Sequence, residues 1–255
     1  MSRRQEREAR AAYAPAPTTK DQQPTTVLLY YITDRAQLAG DEASPRARLL
    51  QRIEQAARAG VDFIQLRERG LSTRQLEELA GVAMAALQRG AQATSHGTSG
   101  RTGTRLLINS RSDVAIACGA DGVHLRSGRG EIGAADARAI FHAAGVTNPI
   151  IAVSCHTPAE VALAAAEGAD FAVFGPVFGK GPDAAGEEVA PTGIEALAAA
   201  CRASIAGMPV LALGGITTEN ASACLAAGAA GLAGIRLFQS GDVGATVRAL
   251  RQRQS

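Results

Sequence analysis

Apolar positions in this chain gather into short solid runs, and between the runs they recur every three or four residues. The runs are Val27–Ile32, Val61–Leu66, Arg105–Ile108, Gly122–Leu125, Pro149–Ser154, Phe171–Phe174, Val210–Leu213 and Gly231–Ile235. A solid apolar run is the pattern of a strand covered on both faces, as in a parallel sheet. Helical periodicity falls over Pro45–Ala59, Thr73–Arg89, Ser112–Cys118, Ala134–Ala143, Pro158–Glu167, Thr192–Ala206 and Thr218–Ala227, with Val243–Arg251 after the last run. Strand and helix alternate throughout, and eight such units are the number that closes into a barrel. The expected fold is α/β, a single (β/α)8 TIM barrel over residues 26–255. The alternative, a doubly wound open sheet, requires a glycine-rich loop after the first strand. Ile32-Thr-Asp-Arg-Ala-Gln37 has none.

A short repeat punctuates the pattern: Ala59-Gly-Val-Asp62, Cys118-Gly-Ala-Asp121, Glu167-Gly-Ala-Asp170 and the degenerate Ala227-Gly-Ala-Ala230. Each reads as a helix end whose glycine leads into the next strand. Two stretches stand outside the alternation. Residues 1–25, charged and then Ala14-Pro-Ala-Pro17, read as a disordered tail. Gly90–Gly103, rich in Gly, Ser and Thr, reads as a flexible insertion without a catalytic role, with His96 solvated.

Composition adds limits. Aromatics are only 4% of the 255 residues, so Ala, Val, Leu and Ile must build the core. A net charge of +2 gives no reason to expect nucleic acid. No apolar run reaches membrane-spanning length, and the charged start has no apolar segment of a secretory signal behind it. A cytoplasmic chain is expected. Cys118, Cys155, Cys201 and Cys224 are scattered without metal-ligand spacing and read as reduced thiols. A homo-oligomer is left open.

In a barrel the chemistry sits at the C-terminal strand ends, and the strand period of two sorts inward from outward residues. The stretch after the seventh run, Gly214-Gly-Ile-Thr217, and the end of the eighth, Gly234-Ile-Arg236, read as an anion cradle of backbone N–H groups, with Thr217–Asn220 opening a helix through a threonine cap. The plain alternative is a tight turn with no ligand. On strand 2, Phe63, Gln65, Arg67 and Arg69 share one side, an inward Gln-x-Arg-x-Arg suited to an anion or, alternatively, to ion pairing with Glu68. Asn109 is a ligand group or the cap of the helix beginning at Ser112. His124 is a base or a packed, hydrogen-bonded histidine, and the second fits better. On strand 5, Ser154 and His156 point to the mouth while Cys155 points to the helices. His156 is a proton-transfer group, since histidine ordinarily titrates near neutrality, or else a helix-capping one. The loop Gly179–Val189 is a lid or a plain surface loop.

Taken together, Gln65-Leu-Arg-Glu-Arg69, Asn109-x-Arg111-x-Asp113-Val-Ala115, Gly122-Val-His-Leu125, Ser154-x-His156-Thr, Phe174-Gly-Pro-Val-Phe178 and Gly214-Gly-Ile-Thr217 resemble the thiamine phosphate synthase/TenI family of barrels over about Leu28–Phe238. The resemblance implies thiamine biosynthesis and a phosphorylated thiazole ligand. It implies His156 as the proton-transfer group and Gln65, Arg67, Arg69, Asn109 and Ser154 around the substrate. The phosphate would lie on backbone N–H groups of Gly193, Gly214, Gly215, Ile235 and Arg236. The synthase branch holds Mg²⁺ with an aspartate after the strand-3 asparagine and a carboxylate after the strand-4 His-Leu. Here Ser110 and Arg126-Ser-Gly-Arg129 stand there, and neither holds Mg²⁺ as paired carboxylates do. Gly179-Lys-Gly-Pro-Asp183 also replaces the synthase Thr-x-Thr/Ser-Lys. The tautomerase branch lacks both metal ligands, so a thiazole tautomerase without cofactor or metal is the expectation. The alternatives are a Mg²⁺-dependent synthase joining a pyrimidine pyrophosphate to thiazole phosphate, and a catalytically silent ligand-binding barrel.

Overall fold

The computed structural model describes residues 26–38, 44–92, 103–128, 130–179 and 190–252. The expected tail and most of the expected insertion lie outside these residues. Eight strands, β1 (Leu28–Ile32), β2 (Phe63–Leu66), β3 (Arg105–Asn109), β4 (Gly122–Leu125), β5 (Ile150–Cys155), β6 (Phe171–Phe174), β7 (Val210–Leu213) and β8 (Gly231–Gly234), form a closed barrel in sequence order. Every pairing is parallel, and β8 returns to β1 with Leu28 opposite Gly231. The helices are α1 (Pro45–Ala59), α2 (Thr73–Gln92), α3 (Ser112–Cys118), α4 (Ala134–Ala143), α5 (Pro158–Ala166), α6 (Gly193–Ala203), α7 (Ala221–Ala226), α8 (Arg236–Gln239) and α9 (Val243–Gln252). The expected (β/α)8 barrel is the observed fold. No helix among the described residues is long and apolar enough to cross a membrane.

Two apolar cores follow from the strand alternation. Outward residues such as Leu29, Ile64, Ile108, Val123 and Cys155 pack under the helices. Inward residues Tyr30, Leu107, Ala152, Phe171 and Val173 fill the barrel interior. Tyr30 meets Phe171 edge-on at 5.4 Å between centroids, and Phe63 lies 4.8 Å from Phe171. Three of the aromatics, Tyr30, Phe63 and Phe171, thus fill the barrel interior where it needs volume, and Tyr31, Phe141, Phe174 and Phe238 pack outside it.

The Gly-Ala/Val-Asp repeat has a second purpose beyond the helix ends. Gly60, Gly119 and Gly168 take positive φ of 85°, 69° and 79°, as helix ends require. Each following aspartate then clamps the foot of the preceding strand. Asp62 accepts the Leu29 N–H at 2.7 Å, Asp121 the Leu106 N–H at 2.8 Å and Asp170 the Ile151 N–H at 2.7 Å. Each also binds an arginine: Arg251, Arg105 and Arg138. In the degenerate copy Ala230 keeps only the backbone bond, to Val210 O at 2.9 Å.

One sequence expectation is corrected here and another is refined. Gly90 does not begin an insertion: α2 runs on to Gln92, and a Cβ at Gly90 would lie 2.5 Å from Glu54 O and 2.8 Å from Ala57 Cβ on α1. Glycine at this point lets two helices touch. Thr217 acts as the expected cap: its Oγ1 accepts the N–H groups of Glu219 at 3.2 Å and Asn220 at 3.3 Å, and Asn220 Oδ1 takes the Thr217 N–H in return at 2.8 Å. Asn220 Nδ2 also donates to Gly215 O at 2.9 Å, and the regular part of the helix, α7, starts at Ala221 rather than Thr218.

Candidate active site

The C-terminal mouth is framed by side chains that hold its loops. Glu68 accepts the Thr33 hydroxyl at 2.6 Å and the Arg35 N–H at 3.1 Å, and pairs with the Arg35 guanidinium at 3.3 Å. Gln239 clamps Asp34 by accepting its N–H and donating to its carbonyl, both at 2.9 Å. The ion pairing considered for Glu68 therefore goes to Arg35. The Arg67 N–H donates to Thr33 Oγ1 at 3.0 Å, while the guanidinium groups of Arg67 and Arg69 have no acceptor among the described residues. Burial, then the charge of Arg69, pulls the Arg67 pKa below its usual value. The charges of Asp34 and Glu68 act on Arg67 in the opposite direction, and burial with the charge of Arg69 outweighs them.

Gln65 is 2% exposed, points into the barrel and donates to Asn109 Oδ1 at 3.0 Å. Asn109 is not a helix cap, since Arg111 occupies that position of α3. Ser110 takes the left-handed φ of 54°, rare for serine, and its buried Oγ has no partner among the described residues. Arg111 turns outward onto Asp113 at 2.6 Å.

His124 and Ser154 meet each other: His124 Nε2 lies 2.7 Å from Ser154 Oγ, and Nδ1 lies 2.9 Å from Tyr30 Oη. His124 is a packed, hydrogen-bonded histidine. Cys155 faces the helices, where burial raises its pKa to about 12, so no thiolate forms there. His156 is exposed at the end of β5. Its Nδ1 lies 2.6 Å from Gly175 O, and its backbone N–H donates to Glu160 Oε2 at 2.6 Å. The same carboxylate oxygen takes the Ser127 hydroxyl at 3.0 Å. Glu160 thus ties the loop after β4 to the end of β5. Sequence reading missed it, though Thr157-x-x-Glu160 at the start of α5 is a capping-box spacing.

The glycine turns after β7 do two things. Gly214 and Gly215 have φ of 98° and 63°. A Cβ at Gly214 would lie 2.5 Å from Pro176 Cα, and one at Gly215 would lie 2.7 Å from Phe178 Cβ. Glycine is therefore demanded by the neighbouring loop as well as by any ligand. The N–H groups of Gly214, Gly215, Ile235 and Arg236 find no acceptor among the described residues. Gly193, expected among these donors, is corrected: its N–H donates to Val177 O at 3.0 Å. Sequence reading placed it at a helix start, where N–H groups are ordinarily unpaired, and could not see the β6 loop folding over it. Lys180 and Arg129 lie outside the described residues.

The Mg²⁺ of the synthase branch was tested against this donor set. At the end of β3 stands a serine hydroxyl, and in the loop after β4 Arg126 pairs with Glu131 at 2.9 Å. A hydroxyl and an already paired carboxylate do not fit a hard dication that takes free carboxylates. The described residues hold no group of three or more His, Cys, Asp or Glu arranged for a metal.

Comparison with known proteins agrees with the motifs. The family described as thiamine monophosphate synthase matches residues 29–238. A Geobacter sulfurreducens protein is 44% identical over 205 residues, 80% of this chain and 83% of its own length, and bears the thiamine-phosphate synthase name provisionally. The thiamine-phosphate synthase of Methanoculleus marisnigri is 36% identical over 88% of this chain and 94% of its own. The solved thiamine phosphate pyrophosphorylase of Pyrococcus furiosus superposes with a TM-score of 0.66 at 25% identity, covering 89% of this chain and 95% of its own. The chain belongs to the thiamine monophosphate synthase family, a family of enzymes of thiamine biosynthesis.

Proposed function

We propose that the chain binds a carboxylated thiazole phosphate at the barrel mouth and moves a proton on it to give the aromatic ring, as a thiazole tautomerase that needs no metal. The observation that carries this reading is the tautomer of His156. Its Nδ1 lies 2.6 Å from a carbonyl oxygen, which only accepts, so Nδ1 holds the hydrogen. In the neutral ring the lone pair is then on Nε2, at an exposed strand end. Nε2 takes the proton from one carbon of the substrate, and the imidazolium returns it to the other. The phosphate lies on the free N–H groups of Gly214, Gly215, Ile235 and Arg236, with the Arg236 charge beside them. Arg67 and Arg69 face the carboxylate, and Gln65 and Asn109 border the ring.

A second reading, the Mg²⁺-dependent synthase, is favoured by the names of the relatives. Against it stand Ser110 and the engaged Glu131. The two are separated by giving the purified chain either the thiazole tautomer phosphate in excess chelator, or a pyrimidine pyrophosphate with thiazole phosphate and Mg²⁺. Aromatised thiazole formed in chelator supports the tautomerase. Thiamine phosphate formed only with Mg²⁺ replaces it with the synthase. Neither product from folded protein leaves the silent barrel.

A further inference from the structure

Beneath the mouth, three polar side chains from β1, β4 and β5 are joined in a line inside the barrel. Tyr30 is 0% and His124 2% exposed, and their rings stack at 5.6 Å between centroids. Tyr30 Oη lies 2.9 Å from His124 Nδ1, and His124 Nε2 lies 2.7 Å from Ser154 Oγ. Ser154 is only half-buried, at the upper, open end of the line.

The hydrogens on this line follow from its valences. Burial, with the charge of Arg67, pulls the His124 pKa down to about 3, so the ring is neutral and carries one hydrogen. Burial raises the Tyr30 pKa, so its hydroxyl keeps its own. Suppose the ring hydrogen were on Nδ1. It would donate to Tyr30 Oη, and the buried tyrosine hydrogen would then have no acceptor among the described residues. A buried donor left unpaired is strongly disfavoured, because it has lost its water and gained nothing in return. With the ring hydrogen on Nε2, Tyr30 donates to Nδ1 and Nε2 donates to Ser154 Oγ, and every buried donor is paired. Ser154 then accepts from below, and its own hydrogen has no acceptor among the described residues.

We propose that Tyr30 and His124 are positioning residues that fix Ser154 as a hydrogen-bond donor aimed at an acceptor atom of the bound substrate. The proposal rests on the reading of the mouth as the substrate site. It makes the line directional, from Tyr30 through His124 and Ser154 to the ligand. A ligand atom with a lone pair, such as a carboxylate oxygen or an unprotonated ring nitrogen, is accepted, and a donor in its place is refused. Removing the Tyr30 hydroxyl leaves Nδ1 without a partner in either tautomer, so the preference for hydrogen on Nε2 is lost and Ser154 can turn its hydrogen inward and present a lone pair to the substrate.

Two measurements test this. The first is nitrogen NMR of ¹⁵N-histidine-labelled full chain near neutral pH, with His124 assigned from the His124→Asn spectrum. The expected result is a protonated, pyrrole-type Nε2 and a pyridine-type Nδ1. A protonated Nδ1, or a mixture of the two forms, overturns the proposal whatever any variant does. The second is a double-mutant cycle of Tyr30→Phe and Ser154→Ala, reading kcat and KM in whichever assay above gives turnover, beside thermal melts. Each single change is expected to lower kcat/KM about tenfold, and the double variant to fall no more than about twofold below the worse single one. Losses that multiply to about a hundredfold show two independent groups and overturn the proposal. Absence of turnover in both assays defeats the functional reading, and the NMR result still decides the hydrogen-bond line.

Discussion

His124 allows a quantitative test, because its protonation is linked to folding. In the folded chain burial and Arg67 hold its pKa down to about 3, against 6.5 for the free side chain. The folded state therefore binds fewer protons than the unfolded state at any pH between these values. The stability that neutral His124 permits is fully present above pH 6.5 and is lost as pH falls toward 3. Between about pH 8 and about pH 5 the loss is ~2 kcal/mol, and by about pH 4 it is ~3 kcal/mol. The figure at about pH 5 hardly depends on the folded value, because almost no folded molecule is protonated there. The perturbation is His124→Asn, which removes the titrating ring. Urea unfolding of both proteins across this range isolates the histidine, because the other titrating groups cancel in the difference. Glu68, whose pKa burial raises, is one such group and acts with the opposite sign. The wild-type advantage over the variant should shrink by ~2 kcal/mol at about pH 5. An advantage that does not change with pH would show that His124 is not held neutral by the fold, and would remove the basis for the hydrogen-bond line above it.

Other substitutions test other parts of the argument. His156→Asn should lower single-turnover rates by about 10²–10⁴-fold while phosphorylated substrate still binds; near wild-type turnover in folded protein removes the named base. Gly214→Ala places a Cβ 2.5 Å from Pro176 Cα at a φ of 98°, and should cost about 3 kcal/mol or prevent folding; an unchanged melt rejects the packing role assigned to it. Asp62→Ala leaves the Arg251 guanidinium, 20% exposed, without its carboxylate and should cost about 3 kcal/mol by urea unfolding, whereas Arg74→Ala in the exposed Arg74–Glu78 pair should leave the midpoint where it is. Ser110→Gly relieves the left-handed φ of 54° and should raise stability by about 0.5–1 kcal/mol; a lower melting temperature would mean the hydroxyl contributes more than the backbone strain costs.

The strands were legible because a parallel barrel buries both faces of each one, so the apolar runs are solid and end at polar loops. Pro45–Ala59, Ser112–Cys118 and Ala134–Ala143 matched at both ends. Proline at the start of the first, and glycine just past the end of the first two, fix those limits chemically. The cap at Thr217–Asn220 was legible from its residue types, whereas the late start of α7 at Ala221 was not. Gly90 looked like loop composition, though its requirement comes from α1, some thirty residues earlier in sequence. Inward and outward parity gave the directions of Gln65, Ser154 and His156. It could not give distances between strands that face each other across the barrel. The Tyr30–His124 contact was invisible for that reason, and the Gly193 bond to Val177 was invisible because the path of the loop after β6 is not written in any periodicity.

The balance of free and engaged valences around the mouth bears on the chemistry more directly than any one residue. The carboxylates there are occupied: Glu68 by Thr33 and Arg35, Glu131 by Arg126, Glu160 by Ser127 and the His156 N–H, and Asp113 by Arg111. Besides the Ser110 and Ser154 hydroxyls and the His156 Nε2, what stays without a partner among the described residues is the guanidinium groups of Arg67, Arg69 and Arg236 and the amides of Gly214 and Gly215. A dication would compete for carboxylates that already hold the loops in place, and taking one away would loosen the rim. An anionic ligand meets only groups whose burial or mutual repulsion it relieves, as with Arg67 beside Arg69. On the proposed reading, this mouth suits a substrate with negative charge at two ends. A phosphate would sit across β7 and β8 and a carboxylate near β2, with the His156 imidazole at the end of β5 to carry the proton.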